Sequence, residues 1–447
     1  MTHRLFHFIR FKDIKNWSVL QHQEHDFGYS DRYPLVAIGE FLVPNQTIIM
    51  VQDDVEYKQL TVKTKGGGVC LRCLKKGKDI GTKQQWVARS GQFVLSKIDA
   101  RNGAMGVVTD ELDGAIVTHD FPLFDVTKDV INPHFLLLII TTESFMKFAQ
   151  SCSSGTTNRQ RINVKKFLQQ RIPLPSLAEQ NRLVEVYNNQ MAEAKGKVVE
   201  SECSKDTIKA YMQEVLGINT AKKVRLKGLF SFVRFKDILQ WGVDMITMEK
   251  VEQLSQKYPS KPIDQLGEVG SGGTPSRSIK SYYNGNIPWI KTGEVLNDII
   301  TDTEEKITED AVANSSAKMY PIGSLIVAMY GHTRGRTAKL GINATTNQAC
   351  AVIYNINNDE ILTDYLWYYL QSQFDEIRAL GSGTGQPNLN AGHIKNYRVV
   401  VPPLSVQQEI VDHVTAERSQ AKALKEEAIH LREQAKIEFE KQIFVST

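Results

Sequence analysis

The sequence predicts an α+β protein that contains two similar units of mixed α and β structure, each followed by one long helix. Three observations support this prediction: an internal repeat, short apolar runs between turn residues in both copies, and two long stretches without proline. At 447 residues the chain is also longer than one hydrophobic core normally supports, so we expect more than one domain.

An internal repeat organises the chain. Residues 8–14 (Phe-Ile-Arg-Phe-Lys-Asp-Ile) recur with one conservative change as residues 232–238. The copies also end alike, because Pro175-x-Leu177-x-x-Gln180 closes the first and Pro402-x-Leu404-x-x-Gln407 closes the second. Self-similarity on this scale indicates duplicated structural units, so both copies should share one scaffold.

Strands and helices are predicted at similar places in the two copies. Short runs of β-branched and aromatic residues between Gly, Asn and Asp clusters predict strands at 93–98, 107–108, 116–117, 325–329 and 351–354. Helix-spaced apolar residues predict one helix over 133–148 and another over 363–380. Each unit is therefore expected to be mixed α and β.

Each copy is followed by a stretch with the spacing of a coiled-coil seam. In the first stretch, one heptad position is occupied by Leu177, Val184, Met191 and Val198. In the second, apolar residues at steps of three and four include Ile410, Val414, Leu424 and Leu431. A helix from about 177 to 216 would be about 55 to 60 Å long, so the two helices are candidate partners for each other. The alternative is that each helix packs only on its own globular unit.

The sequence lacks the signatures of several classes of protein. It has no Gly-x4-Gly-Lys-Ser/Thr phosphate loop and no Asp-Pro-Pro-Tyr or Asn-Pro-Pro-Tyr tetrapeptide of the kind found in amino-methyltransferases. Cys70 and Cys73 form a single CxxC without the further ligands that tetrahedral zinc needs, so we expect no metal site. Scattered cysteines and the lack of any long apolar run predict a cytoplasmic protein without membrane contact.

Loops rich in Arg, Asn, Gln, Thr and Gly are the candidate binding elements. Arg can donate two hydrogen bonds to guanine, Asn or Gln can pair with adenine, and Gly lets backbone amides approach phosphates. The candidates in the first copy are Lys97, Arg101, Asn102, Thr118, His119, Asn158, Arg159 and Arg161. Those in the second copy are Gly273, Thr274, Arg277, Lys291, Tyr330, His332, Arg334, Arg336, Asn347, Gln348, Thr384 and Gln386. The alternative is that these residues only form and solvate turns, but their recurrence on two copies favours DNA reading.

Four elements of the sequence match one known family: Gly272–Ser276, Ile287–Gly293, Gly381–Thr384 and the Pro-x-Leu-x-x-Gln motif before each long stretch. In these elements the chain resembles the specificity subunits of Type I restriction-modification systems, although its first half lacks a Gly-Gly-Thr-Pro. The resemblance implies target-recognition domains at 1–172 and 227–400, long helices at 173–217 and 401–447, and a linker at 218–226. The two helices would form an antiparallel coiled coil that gives the single chain pseudo-twofold symmetry.

The resemblance also implies a division of labour. The chain would be a non-catalytic subunit that binds double-stranded DNA at an asymmetric, bipartite target and scaffolds its partners. Two modification subunits would bind S-adenosylmethionine and methylate adenine, and restriction subunits would use ATP and Mg²⁺, so this chain would carry no cofactor. Two other interpretations stay open: a fused methyltransferase or nuclease with its own active site, and an adaptor without sequence preference.

Overall fold

The computed structural model describes residues 27–64, 66–154, 161–218, 257–381 and 388–445, with the side chains of Ser153 and Ser154 excepted. The repeated segments at 8–14 and 232–238 and most of the predicted linker lie outside this described part. The chain divides into two compact units. The first unit comprises residues up to 196 together with residues from 427 onward, and the second comprises residues 197–426.

In its described residues, the first unit combines thirteen short strands with helices. Its strands are β1 (Leu35–Ala37), β2 (Leu42–Pro44), β3 (Ile48–Met50), β4 (Glu56–Val62), β5 (Val69–Lys76), β6 (Gln84–Val87), β7 (Phe93–Leu95), β8 (Met105–Val107), β9 (Ile116–Val117), β10 (Leu123–Val126), β11 (Ser153–Ser154), β12 (Arg161–Ile162) and β13 (Arg171–Pro173). Its helices are α1 (Pro133–Ile140), α2 (Glu143–Ser151), α3 (Val164–Gln169) and the beginning of α4 (Leu177–Leu216).

The second unit begins within α4 and has a similar order of elements. Its strands are β14 (Ser260–Pro262), β15 (Glu268–Ser271), β16 (Ile287–Ile290), β17 (Ile299–Ile300), β18 (Lys306–Ile307), β19 (Leu325–Ala328), β20 (Thr337–Leu340), β21 (Thr345–Thr346), β22 (Cys350–Tyr354) and β23 (Arg398–Val400). Its helices are α5 (Glu309–Ala313), α6 (Thr363–Ser372), α7 (Phe374–Ala379), α8 (Ala391–Lys395) and most of α9 (Leu404–Ile443), whose last turns belong to the first unit.

The two units share one sheet topology. The first contains a sheet of order β2-β10-β7-β8, and the second contains the same order as β15-β22-β19-β20, extended by β17. In each unit the first strand also pairs with the last, as β1 with β13 and β14 with β23, both antiparallel. The duplication predicted from the sequence is therefore confirmed in the described residues.

The units differ in what is inserted into this common topology. The first unit adds a five-stranded sheet of order β3-β6-β9-β4-β5, and the second adds a three-stranded sheet of order β18-β16-β21. The insertion of the first unit shares an apolar cluster around Leu60 and Val62 with the common sheet, and that of the second has a cluster around Trp289 and Ile307. Each insertion is thus a packed addition to the shared core.

The shared cores are built from large apolar side chains. In the first unit Phe93, Phe124 and Phe167 are fully buried between the sheet and the helices. In the second, Tyr365 is fully buried and donates a hydrogen bond to the Val400 carbonyl at 2.7 Å. Burial of such side chains removes about 150 to 250 Å² of surface each and dominates core stability.

Two helices that the sequence predicts as continuous are each divided. Residues 133–148 belong to α1 and α2, and residues 363–380 belong to α6 and α7. The first break lies at Thr141 and Thr142, where the Thr141 hydroxyl donates to the Leu137 carbonyl at 2.7 Å and Thr142 is extended. Apolar spacing continues across the break, so periodicity did not reveal it. The predicted strands are present as β7, β8, β9, β19 and β22, with ends displaced by a few residues.

A buried glutamine anchors the beginning of each long helix. Gln180 accepts a hydrogen bond from the Asn132 amide (2.8 Å) and donates to the carbonyls of Val130 (3.0 Å) and Pro175 (2.9 Å). Gln407 makes the equivalent three bonds: it accepts from the Leu362 amide (2.8 Å) and donates to the carbonyls of Glu360 (2.9 Å) and Pro402 (2.8 Å). Both side chains have no exposed surface. The Pro-x-Leu-x-x-Gln motif therefore fixes each helix to the loop before α1 or α6.

The two long helices have 40 residues each, and the first covers Leu177–Leu216, in agreement with the range of about 177 to 216 expected from its apolar spacing. Their seam positions are half-buried or buried, with Val184, Ile410 and Val414 among the buried ones. In the second unit the two helices contact each other and run antiparallel. Ser201 donates to the Ala421 carbonyl at 2.9 Å, and Tyr211 stacks on His413. The alternative of helices that pack only on their own globular units is therefore wrong. No helix in the described part of the chain is long and apolar enough to cross a bilayer.

Candidate nucleic-acid interface

Three loops meet in each unit through the same pair of backbone hydrogen bonds. In the first unit the Lys97 amide donates to the Asp120 carbonyl (2.8 Å), and the Lys97 carbonyl accepts from the Ile162 amide (2.8 Å). In the second unit Met329 takes the place of Lys97, donating to the Ala349 carbonyl (2.9 Å) and accepting from the Leu389 amide (3.0 Å). We call this meeting point the junction. It brings together segments 96–104, 118–121 and 161–162 in one unit and segments 329–336, 346–349 and 388–389 in the other.

The junction of the first unit carries a small charged cluster. Asp120 lies 3.0 Å from the Arg161 guanidinium and 3.6 Å from the His119 ring nitrogen. Arg161 and His119 are mostly exposed, and an ion pair in contact with water contributes little stability. The carboxylate therefore orients these side chains and leaves most of their donors available to a ligand.

Other predicted residues of the first unit lie around the same junction. Lys97, Arg101 and Thr118 are half-buried, and Asn102 is exposed in a short 3-10 helix. Gly103 ends that helix with a φ of +77°, which favours glycine. Asn158 and Arg159 lie outside the described residues.

The junction of the second unit carries the hairpin between β19 and β20. Tyr330 and His332 are exposed at its tip, and Arg334 and Arg336 are half-buried. The turn needs glycine at 331 and 335, where φ is +77° and +85°. Gln348 is exposed and Asn347 half-buried on the adjacent loop.

Side-chain bonds hold the hairpin against its neighbours. The Thr333 hydroxyl donates to the Thr292 carbonyl at 2.8 Å, which ties the hairpin to a short 3-10 helix after β16. Within the described part of the chain, the Nε atom of Arg334 is buried without a hydrogen-bond partner. A buried donor of this kind is costly unless a ligand or water completes it. Thr384 and Gln386, also predicted for this surface, lie outside the described residues.

Gly273 serves close packing. Its amide donates to the Thr346 carbonyl at 2.9 Å, and its carbonyl accepts from the Trp289 indole at 2.9 Å. A Cβ added to Gly273 would lie 2.3 Å from the Ala317 nitrogen. Because its amide is already used, we do not retain Gly273 as a phosphate contact, whereas the neighbouring Thr274 is exposed.

Arg277 and Lys291, also predicted to contact DNA, make internal contacts in the insertion of the second unit. The Arg277 guanidinium lies 4.2 Å from the centre of the Tyr283 ring and donates to Glu305 at 2.8 Å. Lys291 donates to Glu304 at 3.0 Å and to Glu305 at 3.2 Å. The bond from Arg277 lowers the pKa of Glu305, and the bond to Glu304 raises the pKa of Lys291, so these groups stay ionised at neutral pH.

The structure also identifies groups that the sequence did not. Three acidic residues neutralise or orient predicted cations: Asp120, Glu304 and Glu305. Arg418 of α9 contacts the globular part of the second unit. An isolated acid or a lone arginine in a helical heptad gives no signal by itself. Among the described residues, no group of three His, Cys, Asp or Glu is placed to hold a metal ion.

Comparison with known proteins finds similarity to one family of proteins. Residues 256–429 match the family model described as the Type I restriction modification DNA specificity domain. The EcoR124I/EcoR124II specificity subunit of Escherichia coli is 30% identical over 156 residues, which are 33% of this chain and 38% of that protein. The MjaIX specificity subunit of Methanocaldococcus jannaschii is 28% identical over 202 residues, 42% and 46% of the two chains. The matched region is thus less than half the length of these two relatives.

Longer but weaker similarities cover most of the chain. The HindI specificity subunit of Haemophilus influenzae is 23% identical over 369 residues, 73% of this chain and 80% of that protein. One solved structure, from work on complex assembly of a type I R-M system, superposes with a TM-score of 0.59. It is 17% identical and covers 93% of this chain and 98% of its own, so it supports the fold alone.

Proposed function

We propose, as the premise for its function, that this chain is a member of the family of specificity subunits of Type I restriction-modification systems. From it we infer that the chain binds double-stranded DNA at an asymmetric target made of two half-sites, one for each unit. The observation that carries this proposal is the junction. The same backbone bonds hold three loops in both units, while the side chains on those loops differ. Like scaffolds with unlike donors and acceptors are suited to reading two different short sequences.

The proposed base-reading groups are the exposed and half-buried side chains at each junction. In the first unit these are Lys97, Arg101, Asn102, Thr118, His119 and Arg161, and in the second they are Tyr330, His332, Arg334, Arg336, Asn347 and Gln348. Arginine is suited to guanine, and the amides of Asn and Gln are suited to adenine. Asn158, Arg159, Thr384 and Gln386 remain predictions for the same surfaces.

The long helices are proposed to set the distance between the half-sites. We retain target-recognition domains at 1–172 and 227–400, the linker at 218–226, and the long-helix segments at 173–217 and 401–447. We propose that α4 and α9, which lie within these segments, form an antiparallel coiled coil with pseudo-twofold symmetry. A helix of 40 residues is about 60 Å long. One turn of B-DNA is about 34 to 36 Å, so bases between the half-sites would be spanned without being read.

Catalysis is proposed to belong to partner subunits. Two modification subunits would bring S-adenosylmethionine and transfer the methyl group, and restriction subunits would bring ATP and Mg²⁺. The chain would scaffold both and carry no active site. The solved structure of similar fold comes from work on complex assembly of a type I R-M system, and we extend that arrangement to this chain as part of the proposal.

Selection from random DNA tests the proposal directly. The purified full chain, alone and with the modification subunits of its host, is incubated with a library of random duplexes, and bound DNA is sequenced. We expect enrichment of one sequence with two fixed blocks around an unread spacer, and no methyl transfer from S-adenosylmethionine by the chain alone. Methylome sequencing of the host with and without the gene should give the same target. Failure to enrich any sequence would favour a non-specific adaptor, and methyl transfer by the isolated chain would favour a fused enzyme.

A further inference from the structure

Arg418 of α9 reaches out of the helix pair and into the globular part of the second unit. Its guanidinium donates to the Gln371 side-chain oxygen at 2.9 Å and to the Asn297 carbonyl at 2.8 Å. It also lies over the rings of Trp367 and Tyr368, 5.1 and 5.4 Å from their centres. Arg418 is half-buried, so these contacts are partly shielded from water and stronger than those of an exposed arginine.

Asn297 continues this connection to the hairpin between β19 and β20. Its amide donates to the Thr337 carbonyl at 2.8 Å, and its side-chain oxygen accepts from the Thr337 amide at 2.9 Å. Thr337 is the first residue of β20 and directly follows Arg336, the last residue of the hairpin loop. Asn297 has a φ of +65°, a conformation that asparagine tolerates better than most residues. Arg418, Asn297 and Thr337 therefore form a continuous path from α9 to loop 329–336, which we call the strap.

The first unit has no equivalent of Arg418. The anchoring glutamines align the two long helices, and Arg418 lies eleven residues after Gln407, whereas Met191 lies eleven residues after Gln180. A methionine side chain offers no hydrogen-bond donor and no charge. The strap is thus a difference between two otherwise similar units.

We propose that Arg418 is a positioning residue: it fixes the hairpin that carries Arg334 and Arg336 onto α9 and so sharpens recognition of one half-site only. This inference rests on the proposed DNA-reading function. Two N–H groups of Arg418 donate inside the protein, to Gln371 and to the Asn297 carbonyl, so we assign its effect to the hairpin and not to a phosphate contact. A hairpin held in its binding geometry loses less conformational entropy when DNA binds.

The central experiment replaces Arg418 by the residue at the same place in the first unit. Binding of Arg418→Met is measured on duplexes selected by the wild-type chain, and on the same duplexes with one base changed in either block. We expect affinity for the intact target to fall about tenfold. The penalty for a wrong base should shrink in one block and remain unchanged in the other. The matched control is Arg432→Met, which removes an exposed arginine from the same helix and should leave both penalties unchanged.

Salt dependence separates positioning from direct contact. A phosphate contact would reduce the slope of log K against log salt by about 0.9 when removed. We expect Arg418→Met to leave that slope unchanged. A reduced slope, or equal weakening on all sequences, would overturn the proposal and make Arg418 a phosphate ligand.

A double-mutant cycle tests whether the strap acts as one unit. Asn297→Gly keeps a residue suited to positive φ but removes the side-chain bond to Thr337. If both residues act through the same path, the double variant should lose about as much affinity as the single variant with the larger loss. If the double variant instead loses affinity by the product of the two single losses, the strap does not act as one unit.

Equal thermal unfolding midpoints for all variants exclude loss of the fold. An effect of Arg418→Met no larger than that of Arg432→Met would overturn the inference. A library that yields no target at all would instead disprove the DNA-reading function.

Discussion

The two units differ most where they would touch DNA and least where they hold their own backbone. Their shared sheets have the same strand order, and their junctions use the same backbone bonds. Yet the residue at the centre of the junction is Lys97 in one unit and Met329 in the other. The comparison teaches that main-chain bonds specify this scaffold. The side chains and the inserted sheets are then free to vary with the DNA sequence that each unit is proposed to read.

The anchoring glutamines should give the largest effect, and an equal one in both units. Gln407→Ala and Gln180→Ala each leave one buried and two partly buried backbone groups without the partner that the glutamine supplies, so we expect a loss of about 2 to 4 kcal/mol in the unit concerned. Urea unfolding of the full chain measures this loss. Gln408→Ala is the control, because Gln408 is exposed and bonds only to Asp412 at 2.8 Å, and it should change stability by about 0.5 kcal/mol or less. A large effect in one unit only would break the comparison.

The helix pair should be disrupted by a charge at its seam. Leu424 is half-buried in α9, and Leu424→Asp places a carboxylate among apolar groups at a cost of about 1 to 3 kcal/mol. We expect gel filtration to show loss of assembly with the modification subunits. Lys425→Asp, one residue along on the exposed face, should assemble normally. Normal assembly of Leu424→Asp would remove the seam from the proposed scaffold.

The reading loops should show effects confined to one half-site. Arg336→Ala or Arg334→Ala should weaken binding by about 1 to 3 kcal/mol and relax the choice of base in one block. Arg101→Ala should do the same in the other block. Arg277→Ala provides the contrast, because its contacts with Tyr283 and Glu305 are internal, and it should lower the stability of the second unit instead. Weakening of all sequences equally would reassign these arginines to phosphate.

The smallest expected effect is a pH dependence of the second unit. The pKa of Glu305 lies below its ordinary value of 4.5, mainly because Arg277 donates to it. Its stabilising contribution is therefore full above pH 4.5 and is lost as the pH falls through the lowered pKa. We expect about 0.5 kcal/mol, since the pair is partly exposed. Glu305→Gln should reduce the change in urea midpoint between pH 6 and pH 3, whereas the exposed Glu409→Gln should not.

The sequence predicted the repeat, the long helices and the mixed α and β character of both units, because these features leave periodic marks. It did not predict the break at Thr141 and Thr142, where a hydroxyl bond ends the helix although the apolar spacing continues. Nor did it separate Arg277 from Arg336. Both follow glycine-containing turns, and only the three-dimensional structure places Tyr283 and Glu305 beside the first of them. Residue type indicates what a side chain can bind, whereas its neighbours decide whether it is free to do so.

Ser201 gives the helix pair a property that its apolar seam lacks. Leucine, valine and alanine at a seam do not by themselves fix the alignment of the two helices, because each new partner after a shift is also apolar. A buried hydroxyl that donates to the Ala421 carbonyl disfavours shifts of less than a heptad, because such shifts move it away from a backbone acceptor on the facing helix. An insertion or deletion in one of the two helices is therefore expected to be tolerated best in steps of a whole heptad, which return the Ser201 hydroxyl to a backbone carbonyl.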